Sequence, residues 1–100
     1  MTISQELTEG GICLTLVGSL DNNAAPDFSI GLLSTMDEYD RVTLDFSGLT
    51  EMEEAGLRVL LSAQKKASTE NVTLIVKSVP DRIMQILAKT GFTDILRLED

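Results

Sequence analysis

Short apolar segments of two different periodicities alternate along the chain, and this alternation is the feature that most restricts its fold. Apolar residues recur at every second position in residues 12–17 and 42–46, which predicts strands. From Phe28 to Met36 they recur at intervals of three and four, which predicts a helix. The 100 residues suffice for one such domain. The pattern therefore predicts a single α/β domain over residues 1–100.

The predicted order of elements is β-β-α-β-α-β-α. Strands are predicted at residues 3–7, 12–17, 42–46 and 72–76, and helices at about residues 26–36, 55–68 and 80–90. Residues 95–98 fit either a short closing strand or a final helical turn, and residues 47–54 are predicted to form a loop. A hairpin followed by β-α-β units implies a mixed sheet of four to five strands, with helices packed mainly on one face. Residues 72–76, the most hydrophobic strand, are the candidate for the sheet centre.

The net charge of the chain limits the kinds of partner that it is expected to bind. Sixteen acidic and eight basic residues give a net charge of -8. A surface this negative repels nucleic-acid phosphates and anionic membranes, so we expect neither as a direct partner. A protein with a basic face is favoured instead.

The chain lacks the usual apparatus of catalysis. It has no histidine, the commonest general base and zinc ligand. Cys13, the one cysteine, lies within a predicted strand and fits a packing role; with no second cysteine to pair, a reducing compartment is the simpler expectation. Residues 1–6 do not resemble a signal peptide, and no apolar run is long enough to span a membrane. We therefore expect a cytoplasmic protein that is not an enzyme, with no cofactor and no metal.

Three segments resemble one known family. The longest runs from Leu44 to Leu61, where an apolar strand ending in Asp and Phe leads into a Ser-Gly-Leu-Thr loop and then an aliphatic helix. Residues 18–21, Gly-Ser-Leu-Asp, follow the second strand, and residues 91–95, Gly-Phe-Thr-Asp-Ile, follow the third helix. Together they resemble the STAS domain, shared by bacterial anti-sigma factor antagonists and the cytoplasmic tails of sulfate transporters. The resemblance spans nearly the whole chain and implies the same fold.

One motif departs from the family pattern. The family usually has Asp-Ser-Ser-Gly-Leu where this chain has Glu-Glu-Ala-Gly-Leu at residues 53–57. In the antagonists that the chain resembles, the second serine is phosphorylated by the partner anti-sigma kinase, and phosphate at that helix start releases the partner. Ala55 stands at that position and has no hydroxyl to phosphorylate. Ser47 and Thr50 are the candidate substitute sites, although turn-forming and capping roles explain both hydroxyls as well.

The resemblance also places the partner-binding surface. It implies contacts from the loop before the first helix and from the start of the second helix, namely Asp21, Asn22, Met52, Glu53, Glu54, Ala55, Gly56, Leu57 and Arg58. Glu51, Glu53 and Glu54 are predicted to bring carboxylates to that helix start, as a binding surface, as a mimic of phosphate or simply as solvent-facing residues favoured by the helix dipole. A divalent-cation site is disfavoured, since three nearby glutamates do not make a coordination loop.

Two functions stay open. The resemblance implies a regulatory domain that binds an anti-sigma factor with serine kinase activity. The alternative is an accessory subunit of a membrane transporter complex, bound to other subunits without inserting in the membrane itself. The sequence leaves the oligomeric state open.

Overall fold

A computed structural model describes residues 1–99. Its strands are β1 (Thr2–Thr8), β2 (Gly11–Leu20), β3 (Arg41–Met52), β4 (Thr73–Lys77) and β5 (Arg97–Glu99). Its helices are α1 (Ala25–Glu38), α2 (Glu54–Glu70) and α3 (Asp81–Lys89), and a short 3-10 turn covers Phe92–Asp94. The predicted succession of elements is confirmed, and the chain end contains both a helical turn and a closing strand.

The strands form one mixed sheet in chain order, β1-β2-β3-β4-β5. β1 is antiparallel to β2, and the remaining neighbours are parallel. Each helix connects two parallel neighbours and steps in the same direction across the sheet, so right-handed crossovers put all three helices on one face. The predicted mixed sheet is confirmed, but its centre is β3 and not β4, because β1 and β2 lie on one side of β3 and β4 and β5 lie on the other.

The core lies between the helices and that face of the sheet. Val42, Leu44 and Phe46 alternate along β3 and are fully buried, and they belong to one cluster with Phe28 of α1 and Leu60 of α2. Burying a side chain of this size stabilises the fold by about 1.5–3 kcal/mol. Cys13 points to the opposite face of the sheet, where it is buried as well, in agreement with its predicted packing role.

β3 extends further than predicted. The expected loop at residues 47–54 is strand as far as Met52, because the second half of β3 continues to pair with β2 after two shifts of register. Gly48 permits this close approach, since a Cβ there would lie 2.9 Å from the Val17 Cγ2 atom. The extension carries β3 to the same end of the sheet as Leu20, the last residue of β2.

Candidate functional site

The ends of β2 and β3 bring two loops together. The pairing register sets Leu20 opposite Met52, so the segment after β2 and the segment that begins α2 leave the sheet side by side. Asp21 and Asn22 therefore lie next to the Glu53 region, as the sequence predicts. Most of the predicted partner-binding residues are brought to one end of the sheet.

Glu53 fastens these two segments to each other. Its Oε1 atom accepts a hydrogen bond from the Asn22 backbone N–H at 2.8 Å, and its own N–H donates to the Leu20 carbonyl at 2.9 Å. Glu53 is the N-cap residue of α2, with extended backbone (φ -103°, ψ 171°), but its carboxylate makes no cap bond to its own helix. The acidic side chain that precedes the helix thus holds the neighbouring loop in place.

Asp21 organises the other segment. Its Oδ1 atom accepts hydrogen bonds from the backbone N–H groups of Asn23 at 3.0 Å and Ala24 at 2.8 Å, immediately before α1 begins. Asp21 forms this turn because its short carboxylate reaches the N–H groups two and three residues further on. The N-cap residue of α1 is Ala24, and no side chain caps the helix.

The first turn of α2 packs against the end of β2. Gly56 is buried there, and a Cβ at this position would lie 2.6 Å from the Leu20 Cγ atom. Leu57 is buried, and Ala55, the second residue of the helix, is half-buried against the core. The methyl group of Ala55 therefore lies at the boundary between core and solvent.

The three glutamates of this region have different partners. Glu54 accepts a hydrogen bond from Arg58 at 2.7 Å on the solvent face of α2. The Arg82 guanidinium of α3 contacts the Glu51 carboxylate, while Glu53 bonds to Asn22. The expectation that all three carboxylates gather at the helix start does not hold for Glu51, which belongs to the contact between β3 and α3. Within residues 1–99, no three groups of metal-ligand type are placed to hold an ion.

Some predicted contact residues are not on the surface. The Met52 side chain is only 6% exposed and lies beneath the surface. Leu57 and Gly56 are buried as well and shape the surface from below. The exposed members of the predicted set are Asn22, Glu53, Glu54 and Arg58, with Asp21 and Ala55 half-buried.

The two substitute hydroxyls lie in β3 rather than in a loop. Both Ser47 and Thr50 are exposed. The Ser47 N–H donates to an Asp45 carboxylate oxygen at 2.9 Å, and the Thr50 hydroxyl lies 3.4 Å from that of Ser19. Both residues lie within the strand where its pairing with β2 shifts register, and not in a turn or at a helix cap. Whether either is modified stays a prediction.

Arg82 is a site residue that sequence reasoning missed. It lies 31 residues after Glu51 and reaches this end of the sheet from α3. No local pattern marks such a contact, because only the packing of α3 near the end of β3 brings the two charges together.

Among residues 1–99, no helix combines the length and apolar character needed to cross a membrane.

A family model described as "Mlab, STAS domain" matches residues 3–98. The chain belongs to the STAS domain family. This confirms the family expected from residues 18–21, 44–61 and 91–95. Residue 55 of this STAS domain is an alanine.

Solved structures share the fold of this STAS domain. An anti-sigma factor antagonist from Mycobacterium paratuberculosis is 19% identical with a TM-score of 0.86, covering 97% of this chain and 83% of its own. The Bacillus cell fate determinant SpoIIAA in its phosphorylated form is 14% identical with a TM-score of 0.75, covering 99% and 92%. A sulfate transporter family protein from Wolinella succinogenes is 21% identical with a TM-score of 0.74, covering 86% and 73%. At these identities the likeness is one of fold.

Proposed function

We propose that this STAS domain is a non-catalytic regulator of the antagonist type, which binds an anti-sigma factor with serine kinase activity in the cytoplasm. The contact surface consists of the exposed and half-buried residues at the joined ends of β2 and β3 (Asp21, Asn22, Glu53, Glu54, Ala55 and Arg58), hereafter the switch-end surface. Binding there is not reversed by phosphorylation at residue 55, since alanine has no hydroxyl.

The observation that carries the proposal is the Glu53 carboxylate bound to the Asn22 N–H at 2.8 Å. This bond holds two loops in one arrangement, and a preorganised surface loses less entropy on binding than two mobile loops would. In STAS domains that switch, phosphate meets the positive end of the helix dipole at this helix start. Here carboxylates of Glu53 and Glu54 supply constant negative charge at the same place.

Structures of the same fold and the net charge both support an antagonist that binds a protein partner. The Mycobacterium paratuberculosis structure is that of an anti-sigma factor antagonist, and the Bacillus protein of the same fold exists in a phosphorylated form. The net charge of -8 favours a partner with a basic contact face, and charge complementarity of this kind raises the rate of association.

A capture experiment tests the missing switch. Tagged wild-type protein, Ala55→Ser and the control Ala88→Ser, which adds the same hydroxyl at an exposed position of α3, are used to capture partners from native cytosol. We expect mass spectrometry to identify the same anti-sigma kinase with all three. ATP should release the kinase from Ala55→Ser alone, with phosphate on residue 55. Release of wild type by ATP, or phosphate on its Ser47 or Thr50, would contradict an unswitched binder.

A pair of charge reversals tests the surface. Glu54→Lys lies on the switch-end surface, while Glu38→Lys makes the same change of charge at the end of α1, and both positions are exposed. Because a basic partner face would meet a cation at residue 54, we expect Glu54→Lys to reduce affinity for the captured partner by about tenfold and Glu38→Lys to leave it nearly unchanged. Equal effects of the two variants would show that only overall charge matters and would exclude this surface.

The alternative function is that of an accessory subunit in a transporter complex. The observation that favours this alternative is the likeness in fold to the Wolinella succinogenes sulfate transporter family protein. On this alternative the same capture would return a permease or its ATPase in place of a soluble kinase, and Glu54→Lys would weaken that capture. Recovery of a transporter subunit without any kinase would replace the antagonist proposal.

A further inference from the structure

β1 is an edge strand with few of the features that usually prevent edge pairing. Its seven side chains are all exposed, and its residues Thr2–Thr8 pair with β2 in an uninterrupted register. The segment reads Thr-Ile-Ser-Gln-Glu-Leu-Thr and contains no lysine, arginine or proline. Charged side chains, proline and bulges are the common means by which proteins protect a free edge. Among residues 1–99, no strand lies along the outer edge of β1.

Two large apolar side chains lie at this edge. Ile3 is 42% and Leu7 69% exposed, and both point to the helix side of the sheet, because Ile3 pairs with Leu16 and Leu7 pairs with Ile12. Glu6 points to the opposite face, since it pairs with Cys13. The edge therefore presents apolar groups on one face and polar groups on the other, beside unpaired backbone.

We propose that β1 pairs with β1 of a second copy of this chain, antiparallel and about a two-fold axis, to form a continuous ten-stranded sheet. A two-fold axis perpendicular to the sheet keeps the helix side of both copies on the same face. Odd-numbered residues of β1 must then lie opposite odd-numbered residues, which leaves few registers.

One of these registers uses the whole strand. With Gln5 opposite its own copy, Ile3 lies opposite Leu7 of the second copy and Thr2 lies opposite Thr8, so all seven residues are paired. The two apolar side chains of each strand thereby meet the two of the other, and cross-strand apolar pairs of this kind stabilise a sheet.

Charge favours the same register. The single charged side chain of β1, Glu6, lies opposite Ser4 of the second copy, so no carboxylate directly faces another. Moving the axis to Glu6 would set the two Glu6 carboxylates against each other, which is destabilising. Moving it to Ser4 would place Ile3 opposite Gln5 and shorten the pairing. Apolar contact, charge and strand length thus select the axis at Gln5.

The first test is the concentration dependence of mass. The net charge of -8 opposes association and the contact is small, so we expect a weak dimer with a dissociation constant on the order of 10–100 μM by sedimentation equilibrium. Leu7→Lys should weaken it by about tenfold or more. The control Ile30→Lys, at a similarly exposed apolar position of α1, makes the same change of charge and should leave the dimer intact or slightly tighter. A monomer at all concentrations overturns the proposal, as does equal weakening by both variants.

Cross-linking tests the register itself. In a Cys13→Ala background the chain has no other cysteine. Gln5→Cys should form a disulfide-linked dimer under mild oxidation, because directly opposed Cα atoms in an antiparallel pair lie about 4.5–5.5 Å apart, within disulfide range. Ile3→Cys should cross-link far less, since its opposite residue is Leu7. Equal cross-linking by both, or by Ile3→Cys alone, would overturn the proposed pairing even if a dimer exists.

Discussion

Gly56 shows how one residue positions the switch-end surface. Its missing side chain lets the first turn of α2 sit directly on Leu20, which is fully buried at the end of β2. Ala55 and Glu53, which precede Gly56, then have defined positions, the first against the core and the second within reach of Asn22. The glycine of the family motif is therefore explained by packing, independently of any partner.

A methyl group at residue 56 should destabilise the domain. In Gly56→Ala the new Cβ would lie 2.6 Å from the Leu20 Cγ atom, so either the helix start or Leu20 must shift. We expect the free energy of unfolding to fall by about 1–2 kcal/mol, since overpacking outweighs the better helix propensity of alanine. Urea denaturation measures this change in the free energy of unfolding.

Gly31 provides the matched control for this substitution. It lies within α1, and a Cβ there would have no neighbour within 4 Å. Gly31→Ala should therefore stabilise the protein by about 0.5–1 kcal/mol. If both variants changed stability in the same direction, the close contact between α2 and Leu20 would not be the reason for the glycine.

At the scale of elements, α1 and α2 are joined by more than their apolar faces. The Lys66 ammonium on α2 lies 2.7 Å from the Asp37 carboxylate at the end of α1 and 2.8 Å from Glu70 on its own helix. The hydrogen bonds with Asp37 and then Glu70 raise the pKa of Lys66 above its ordinary value. The ammonium thus connects two of the three helices that cover the sheet.

This contact predicts a loss of stability at alkaline pH. Because the Lys66 pKa is higher in the folded than in the unfolded state, the stabilisation is complete below the ordinary lysine range, about pH 10, and is lost as pH rises through the raised value. Lys66→Met should lower the urea midpoint at neutral pH, and the difference from wild type should shrink above that range.

Lys65→Met is the control for the loss of charge. Lys65 is its exposed neighbour on α2, and removing either lysine makes the chain more negative by one charge. We expect a smaller effect on the midpoint from Lys65→Met. Equal effects, or a difference that persists at the most alkaline pH, would show that the contact with Asp37 contributes nothing specific.

At the scale of the whole molecule, stability is concentrated in the middle of the sheet. β3 is bordered by strands on both sides, and its Val42, Leu44 and Phe46 side chains are completely buried. β1 has seven exposed side chains, and β5 has only three residues. The two edges therefore have little burial to oppose local opening.

Amide hydrogen exchange should show this order. In dilute solution we expect the amides of residues 42–46 to exchange only through global unfolding, and those of residues 97–99 to exchange faster through local opening. Raising the protein concentration should slow the outward-facing amides of β1 and leave β5 unchanged, if the β1 dimer forms. Equal protection of β3 and β5 in dilute solution would contradict the predicted order.

The periodicity of side chains predicted most of the elements, because it depends on near neighbours in the chain. Alternation over Val42–Phe46 and helical spacing from Phe28 to Met36 are each readable locally, and both elements are present. The position at which β3 ends cannot be predicted in this way. Ser47 and Gly48 are typical of turns, and strand pairing with β2 overrides that preference.

Residue patterns alone are enough to predict the kinds of elements, their order, the STAS resemblance and the absence of a hydroxyl at Ala55. Tertiary structure alone decided the burial of Met52, the bond from Asn22 to Glu53 and the contact of Arg82 with Glu51. The last two each join residues 31 positions apart, with one helix and one strand between them. The physical reason is range: local preferences act over one turn or one strand, whereas a binding surface forms only where packing brings distant segments together.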